Sequence, residues 1–157
     1  MGVTDLTTAE NAGDAVDLGI LGSMIGYHLR RALGAFNIDY ARAVAGTGIR
    51  QGLFGILSVI AANPGISQGM VGRALGIQRA NMVALINELV GMGYVDREAS
   101  PDDRRAFSLT LTAAGHAMLQ ESAVRIREHE ELMLAGLTAA QRRSLAAMLA
   151  EIAAVEI

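Results

Sequence analysis

Between Gln51 and Leu111 the chain changes hydrophobic period at a series of short breaks, and this punctuation restricts the fold more than any other feature. Phe54, Leu57, Val59 and Ile60 are spaced as the core face of a helix over about 51–62. Asn63-Pro64-Gly65 ends that helix in a turn. Ser67 can cap a short helix reaching about Leu75, because its hydroxyl accepts from backbone N–H groups that the first turn leaves unpaired. Gly76 stops it. A further helix over Gln78 to Met92 carries an apolar stripe of Met82, Leu85, Ile86 and Leu89 and stops at Gly93. Tyr94-Val95-Asp96-Arg97 reads as a short strand and Ser100-Pro101-Asp102-Asp103 as a turn. The alternating Phe107-Ser108-Leu109-Thr110-Leu111 is the returning strand of a two-stranded hairpin. Helix, tight turn, helix and hairpin in this order make a winged helix-turn-helix.

Long amphipathic segments flank this module. Leu18, Leu21, Ile25, Leu29, Leu33, Phe36 and Tyr40 predict a first helix over about 14–44, ended by Gly46-Thr47-Gly48. Such a helix is longer than a small domain needs for itself and points to packing beyond its own subunit. Thr112 caps a helix running to about Ala135 through Met118, Leu119, Ile126, Leu132 and Met133. Gly136 ends it, and Thr138 caps a last helix with Leu145, Met148, Leu149, Ile152 and Val155 on one side. The expected fold is mainly α with a small β-hairpin: a winged helix-turn-helix module at 51–112 with long helices from both chain ends, at 14–50 and 113–157, after a mobile arm at residues 1–13. Gly69 and Gly72 each cost a helix roughly 1 kcal/mol against Ala, which points to a neighbouring helix packed closely on them.

Composition removes several classes of function. There is no Cys, hence no disulfide framework, thiolate metal site, cysteine nucleophile or thiol oxidant sensor. Gln51 to Gly72 holds no charge over 22 residues, but its apolar run stops at Ala62, so a buried helix and turn fit better than a membrane span. Asp5, Glu10, Asp14 and Asp17 precede the first basic residue, Arg30, which argues against a secretory signal and for a cytoplasmic protein. No phosphate loop, nucleophile elbow or His-Glu-x-x-His motif occurs, so an enzyme is not expected and neither is a cofactor. The 52% hydrophobic content is high for a chain of 157 residues and points to apolar surface covered by a partner subunit. The net charge is −3, but the acidic excess lies in residues 1–17 and 113–157, and residues 64–112 are neutral. All 13 basic residues are Arg, so any basic contact to DNA depends on a few side chains.

The second helix of a helix-turn-helix lies in the DNA major groove with residues near its N-terminus at base edges. Gln78, Arg79 and Asn81 stand there, and Arg binds guanine as Gln and Asn bind adenine, through paired hydrogen bonds. Arg104 and Arg105, just past the hairpin turn, can reach an adjacent minor groove. Ser67 and Gln68, at the start of the preceding helix, complete the expected DNA contacts. Arg79 could instead be a solvated surface residue, and Arg104 and Arg105 could pair with Asp102 and Asp103 for at most about 1 kcal/mol. The last two uses are compatible, since a paired Asp can aim an Arg.

Leu75-Gly76-Ile77-Gln78-Arg79-Ala80, Leu89 and Gly93-Tyr94-Val95 resemble the recognition-helix region of the MarR family of bacterial transcription regulators. Pro101-Asp102-Asp103-Arg104-Arg105-Ala106, followed by Leu111-Thr112-Ala113-Ala114-Gly115, resembles that family's wing and the start of its fifth helix. The resemblance covers about residues 14–155. It implies a homodimer whose dimerisation helices are 14–50 and 113–157 and whose DNA-binding module, 51–112, binds a pseudo-palindromic operator, usually as a repressor, and that a small molecule, often an aromatic acid or related compound, releases. It implies that Gln78, Arg79 and Asn81 read bases, that Arg105 enters the minor groove and that Asp103 orients the wing. Ala84 stands where many relatives are basic.

In this architecture a ligand cleft is expected between the long helices and the winged module, with Tyr27, His28, Arg31, Phe36, Tyr40 and Phe54 as candidate liners. Arg31 or His28 beside aromatic walls suits an anionic aromatic ligand, whereas Phe36, Tyr40 and Phe54 taken singly read as ordinary core. His28, His116 and His129 are too scattered for a metal site, and His129 among Glu128, Glu130 and Glu131 reads as part of a solvated charged face. A winged-helix interaction scaffold without specific DNA binding is the alternative, and a metal-responsive regulator a weaker one.

Overall fold

The computed structural model describes residues 16–99 and 107–154. Expectations for the arm at 1–13, for Asp103, Arg104 and Arg105 of the wing, and for Val155 lie outside these residues. The chain divides into two compact units, with the boundary after Ala35.

The first helix is shorter than its apolar periodicity predicts. A 3-10 turn covers Gly19–Ser23, and helix α1 spans Ile25–Ala43. Local side-chain bonds compete with the helix here. The Asp17 carboxylate accepts from the Gly19 N–H at 2.8 Å, Ser23 Oγ donates to the Ile20 carbonyl, and Gly19 takes φ +53°. Met24 between the two is extended, so the apolar spacing runs through a break that only backbone geometry reveals.

The winged module follows the predicted order closely. Helix α2 spans Gln51–Ala62, α3 Gln68–Leu75 and α4 Arg79–Gly91, and strands β2 (Val95–Ala99) and β3 (Phe107–Leu111) form the hairpin. A strand absent from the sequence reading, β1 (Ile66–Ser67), pairs antiparallel with β3 and makes the sheet three-stranded in the order β1-β3-β2. Its register is Ile66 opposite Leu109, and Val95 on the other edge faces Leu111. Two residues carry too little pattern to announce a strand. β2 begins one residue later than predicted because the Tyr94 N–H is bonded to the Leu89 carbonyl at the end of α4.

The core lies inside this module. Leu53, Ile56, Leu57 and Ile60 of α2 meet Val71, Met82, Ile86, Leu89, Val95 and Leu109, all fully buried or nearly so. Each such side chain contributes about 1.5–3 kcal/mol by leaving water. Phe54, Val59 and Leu85, predicted as core, are only partly buried at its edge, and Leu53 and Ile56 take their place. Helix α5 spans Ala113–Met133 and α6 Ala139–Ala153. Thr112 caps α5 by accepting from the Gly115 N–H at 3.0 Å, and Thr138 forms a capping box with Gln141 on α6. Met148, Leu149 and Ile152 of the predicted apolar side of α6 are exposed, and Leu145 is half-buried. Among the described residues no helix is long and apolar enough to cross a membrane.

Candidate nucleic-acid interface and ligand cleft

The junction of α3 and α4 is built from backbone constraints. Ser67 caps α3, accepting from the Met70 N–H at 3.3 Å. Gly76 takes the left-handed conformation (φ +64°) that ends it, and the Ile77 N–H returns to the Gly72 carbonyl at 2.8 Å. A Cβ on Gly72 would stand 3.1 Å from the Ile77 carbonyl oxygen, so a small residue is required there. Gly69 has no such neighbour and does not mark a close helix contact.

The result is an open cleft between the two helices. Ser67, Gln68, Gly69, Arg73, Gln78, Arg79 and Phe107 line its rim, and Gly72, Ile77 and Met82 its base. Four of the predicted DNA contacts, Ser67, Gln68, Gln78 and Arg79, thus share one surface. Gln78 is the residue before α4 and Arg79 its first, and both are exposed, at the helix end whose free N–H groups favour anions. Asn81 is exposed on α4 but does not line the cleft. Gln68 Oε1 is buried without a hydrogen-bond partner. Arg73 and Arg79 have no ion-pair partner among the described residues.

A smaller cleft of about 180 Å³ lies where α1, α2 and α5 meet, lined by Phe36, Asn37, Tyr40, Gln51, Phe54, Ile126, His129 and Glu130. Phe36, Tyr40 and Phe54 therefore come together as expected. His129 does not belong to a solvated face, as the surrounding glutamates had implied. Its side chain is 2% exposed, and Nδ1 lies 2.6 Å from Asp39 Oδ2. The Phe36 and Tyr40 rings meet the imidazole edge-on, with centroids 5.6 and 6.3 Å away. The sequence separation of 90 residues hides this pairing. His129 Nε2 and Tyr40 Oη are both buried without a partner, and burial pushes the Tyr40 hydroxyl above its ordinary pKa.

Tyr27, His28 and Arg31 belong to the first unit. They interact locally: Arg31 donates to the Tyr27 hydroxyl at 3.4 Å, and His28 Nε2 lies 2.8 Å from the Gly22 carbonyl. Among the described residues no group of three or more His, Asp or Glu is arranged to hold a metal ion.

Residues 54–106 match the profile of the MarR family. A protein of Thauera aromatica described as a transcriptional regulatory protein for the hcr operon is 34% identical over 132 residues, spanning 83% of this chain and 80% of its own. This chain belongs to the MarR family. Its fold matches the transcriptional repressor CouR bound to a 23-mer DNA duplex with a TM-score of 0.84 and 35% identity, over 89% of this chain and 99% of that one. CouR bound to p-coumaroyl-CoA matches with a TM-score of 0.79 and 32% identity, over 90% of this chain and all of that one (100%). The MarR-family chain is thus a winged-helix transcriptional regulator, and its relatives are regulators rather than enzymes.

Two features of this MarR-family module escaped the sequence reading. Arg73 joins the helix-turn-helix cleft from the last turn of α3, where a lone Arg in a weakly charged module was the available signal. Arg97 of β2 braces the hairpin on α4, donating to Asn87 Oδ1 at 3.1 Å while its guanidinium lies 4.8 Å from the Phe107 ring centre. Cross-strand and strand-to-helix pairs of this kind leave no periodic trace in a sequence.

Proposed function

We propose that this MarR-family regulator is a homodimeric repressor that binds a pseudo-palindromic operator and is released from it by a small aromatic ligand. The observation that carries this reading is the cleft shared by Ser67, Gln68, Gln78 and Arg79, in a chain whose fold matches a DNA-bound repressor. In this reading residues 51–112 are the DNA-binding module, and 14–50 with 113–157 supply the dimer helices. Gln78, Arg79 and Asn81 read base edges in the major groove. Ser67 and Gln68 contact the backbone at the start of α3, and Arg73 adds a phosphate contact. Arg104 and Arg105 serve the wing, with Asp103 orienting it. The exposed apolar residues of α6, Met148, Leu149 and Ile152, fit a surface covered by a second copy.

In this reading Phe36, Tyr40 and Phe54 form the walls of the ligand cleft, and a small-molecule ligand is supported by the similar repressor CouR being bound to p-coumaroyl-CoA. Release follows if the ligand prefers an arrangement in which the two recognition helices no longer match one helical turn, about 34 Å. A ligand without that preference shifts nothing.

A mobility-shift assay against DNA upstream of the gene, across a salt series, tests the reading. Specific binding that weakens steeply with salt is expected. Failure to bind at low salt would favour the interaction scaffold.

A further inference from the structure

Arg73 stands in the last turn of α3, yet its guanidinium lies back over the first turn. Side chains on a helix lean toward its N-terminus, so a long one reaches the position four residues before its own. For Arg73 that position is Gly69. Among the described residues a Cβ at Gly69 would meet only this side chain, with Arg73 Nη1 4.0 Å away. Gly69 is exposed and its backbone is not left-handed. Neither close packing nor a turn therefore accounts for a residue that weakens the helix.

The same spacing on α5 shows what another residue would do. Arg125 is held by Glu121, four residues earlier, at 2.8 Å. An acid at position 69 would hold Arg73 in the same way. With glycine there, and no acid in the first turn of α3, Arg73 has no ion-pair partner among the described residues. Its charge is laid toward the positive end of the α3 dipole, a placement that an incoming anion offsets. Arg79, on the same cleft rim, is unpaired as well.

We propose that Gly69 is a positioning residue for DNA binding: its missing side chain lets Arg73 lie across α3, unpaired, where a backbone phosphate meets it. This rests on the DNA-binding reading above and adds the residue that places Arg73. Arg73 makes the contact, and Gly69 acts through it. Phosphate contacts carry no sequence information, so the effect falls equally on any duplex.

The test is a double-mutant cycle in the full chain. It is read as affinity for DNA upstream of the gene and for a scrambled duplex, across a salt series. Arg73→Ala is expected to weaken binding to both duplexes roughly fivefold or more, and to reduce the slope of log affinity against log salt by about one for each subunit bound. Gly69→Leu, whose branched carbons compete for the space of the guanidinium, should do the same. The double variant should bind no more weakly than Arg73→Ala, because both changes remove one contact. Gly69→Ala adds only a Cβ at ordinary contact distance and should stay within about twofold of wild type. Urea unfolding checks that each variant is folded. Losses that add in the double variant would overturn the proposal, since the new side chain would then meet DNA itself. So would a wild-type salt slope in Arg73→Ala, or wild-type affinity in Gly69→Leu. A wild-type chain that binds neither duplex at low salt defeats the DNA-binding reading and this proposal with it. One that binds while the cycle is additive defeats this proposal alone.

Discussion

Gly115 presses directly on the main chain of Tyr94: a Cβ at Gly115 would overlap the Tyr94 carbonyl. The same carbonyl accepts from the Thr112 N–H at 3.1 Å, and Thr112 Oγ1 donates to the Gly93 carbonyl at 2.7 Å. The start of α5 is thereby fastened to the turn that leaves α4. Backbone cannot move aside as a side-chain tip can, so Gly115→Ala is expected to destabilise by about 3 kcal/mol or more. Gly136, with open space around it, provides the control, and Gly136→Ala should stay within about 0.5 kcal/mol. Urea unfolding at one fixed protein concentration measures both. Equal stability of the two variants would refute the close contact.

Much of this arrangement was legible because local chemistry and tertiary need coincide. Ser67, Thr112 and Thr138 announce helix starts, and each caps one. Gly76 and Gly93 announce stops, and each takes a positive φ. Gly115 was legible only through resemblance, because a close approach between distant segments has no periodic signature. His129 was misread for the opposite reason. Its neighbours in sequence are glutamates, yet its partners Asp39, Phe36 and Tyr40 come from a helix 90 residues earlier. Similarly, the spacing of Leu18, Leu21 and Ile25 promised one helix, and the bonds of Asp17 and Ser23 divided it.

Arg79 opens α4 on the rim of the helix-turn-helix cleft and has no ion-pair partner among the described residues. Arg79→Ala is expected to lower operator affinity by about 1–3 kcal/mol, or roughly 5- to 150-fold. The loss should fall mainly on the specific site. Arg105→Ala should weaken binding comparably through the wing. Titrations of operator and scrambled duplex, with sedimentation to confirm an unchanged oligomeric state, separate these outcomes. Wild-type affinity in both variants would remove them from the interface.

Arg97 joins the hairpin to α4 through Asn87 and the Phe107 ring. An exposed cation–π contact is worth about 0.5–1 kcal/mol, so Arg97→Ala should cost little stability. Its larger effect should be on operator binding, because it frees the hairpin that carries Arg104 and Arg105. Lys cannot reproduce the planar stacking and the fixed fork, and Arg97→Lys should restore only part of the loss. Full restoration by Lys, or undiminished operator affinity in Arg97→Ala, would show that the brace does not position the wing.

The buried Tyr40 hydroxyl gives the protein an alkaline limit. Burial raises its pKa above the ordinary tyrosine value, near which it titrates in the unfolded chain. Above about pH 10 the unfolded state therefore loses this proton first, and the folded state binds more protons. Stability contributed by this group is complete below the unfolded pKa and falls as pH rises toward the folded one. Tyr40→Phe removes a buried hydroxyl that has no partner, so it should raise stability at pH 7 by about 1–3 kcal/mol. Between about pH 10 and 11.5 the variant should lose stability less steeply than wild type. Urea unfolding along this pH range measures the two slopes, and identical slopes would show that Tyr40 is not desolvated in the folded protein.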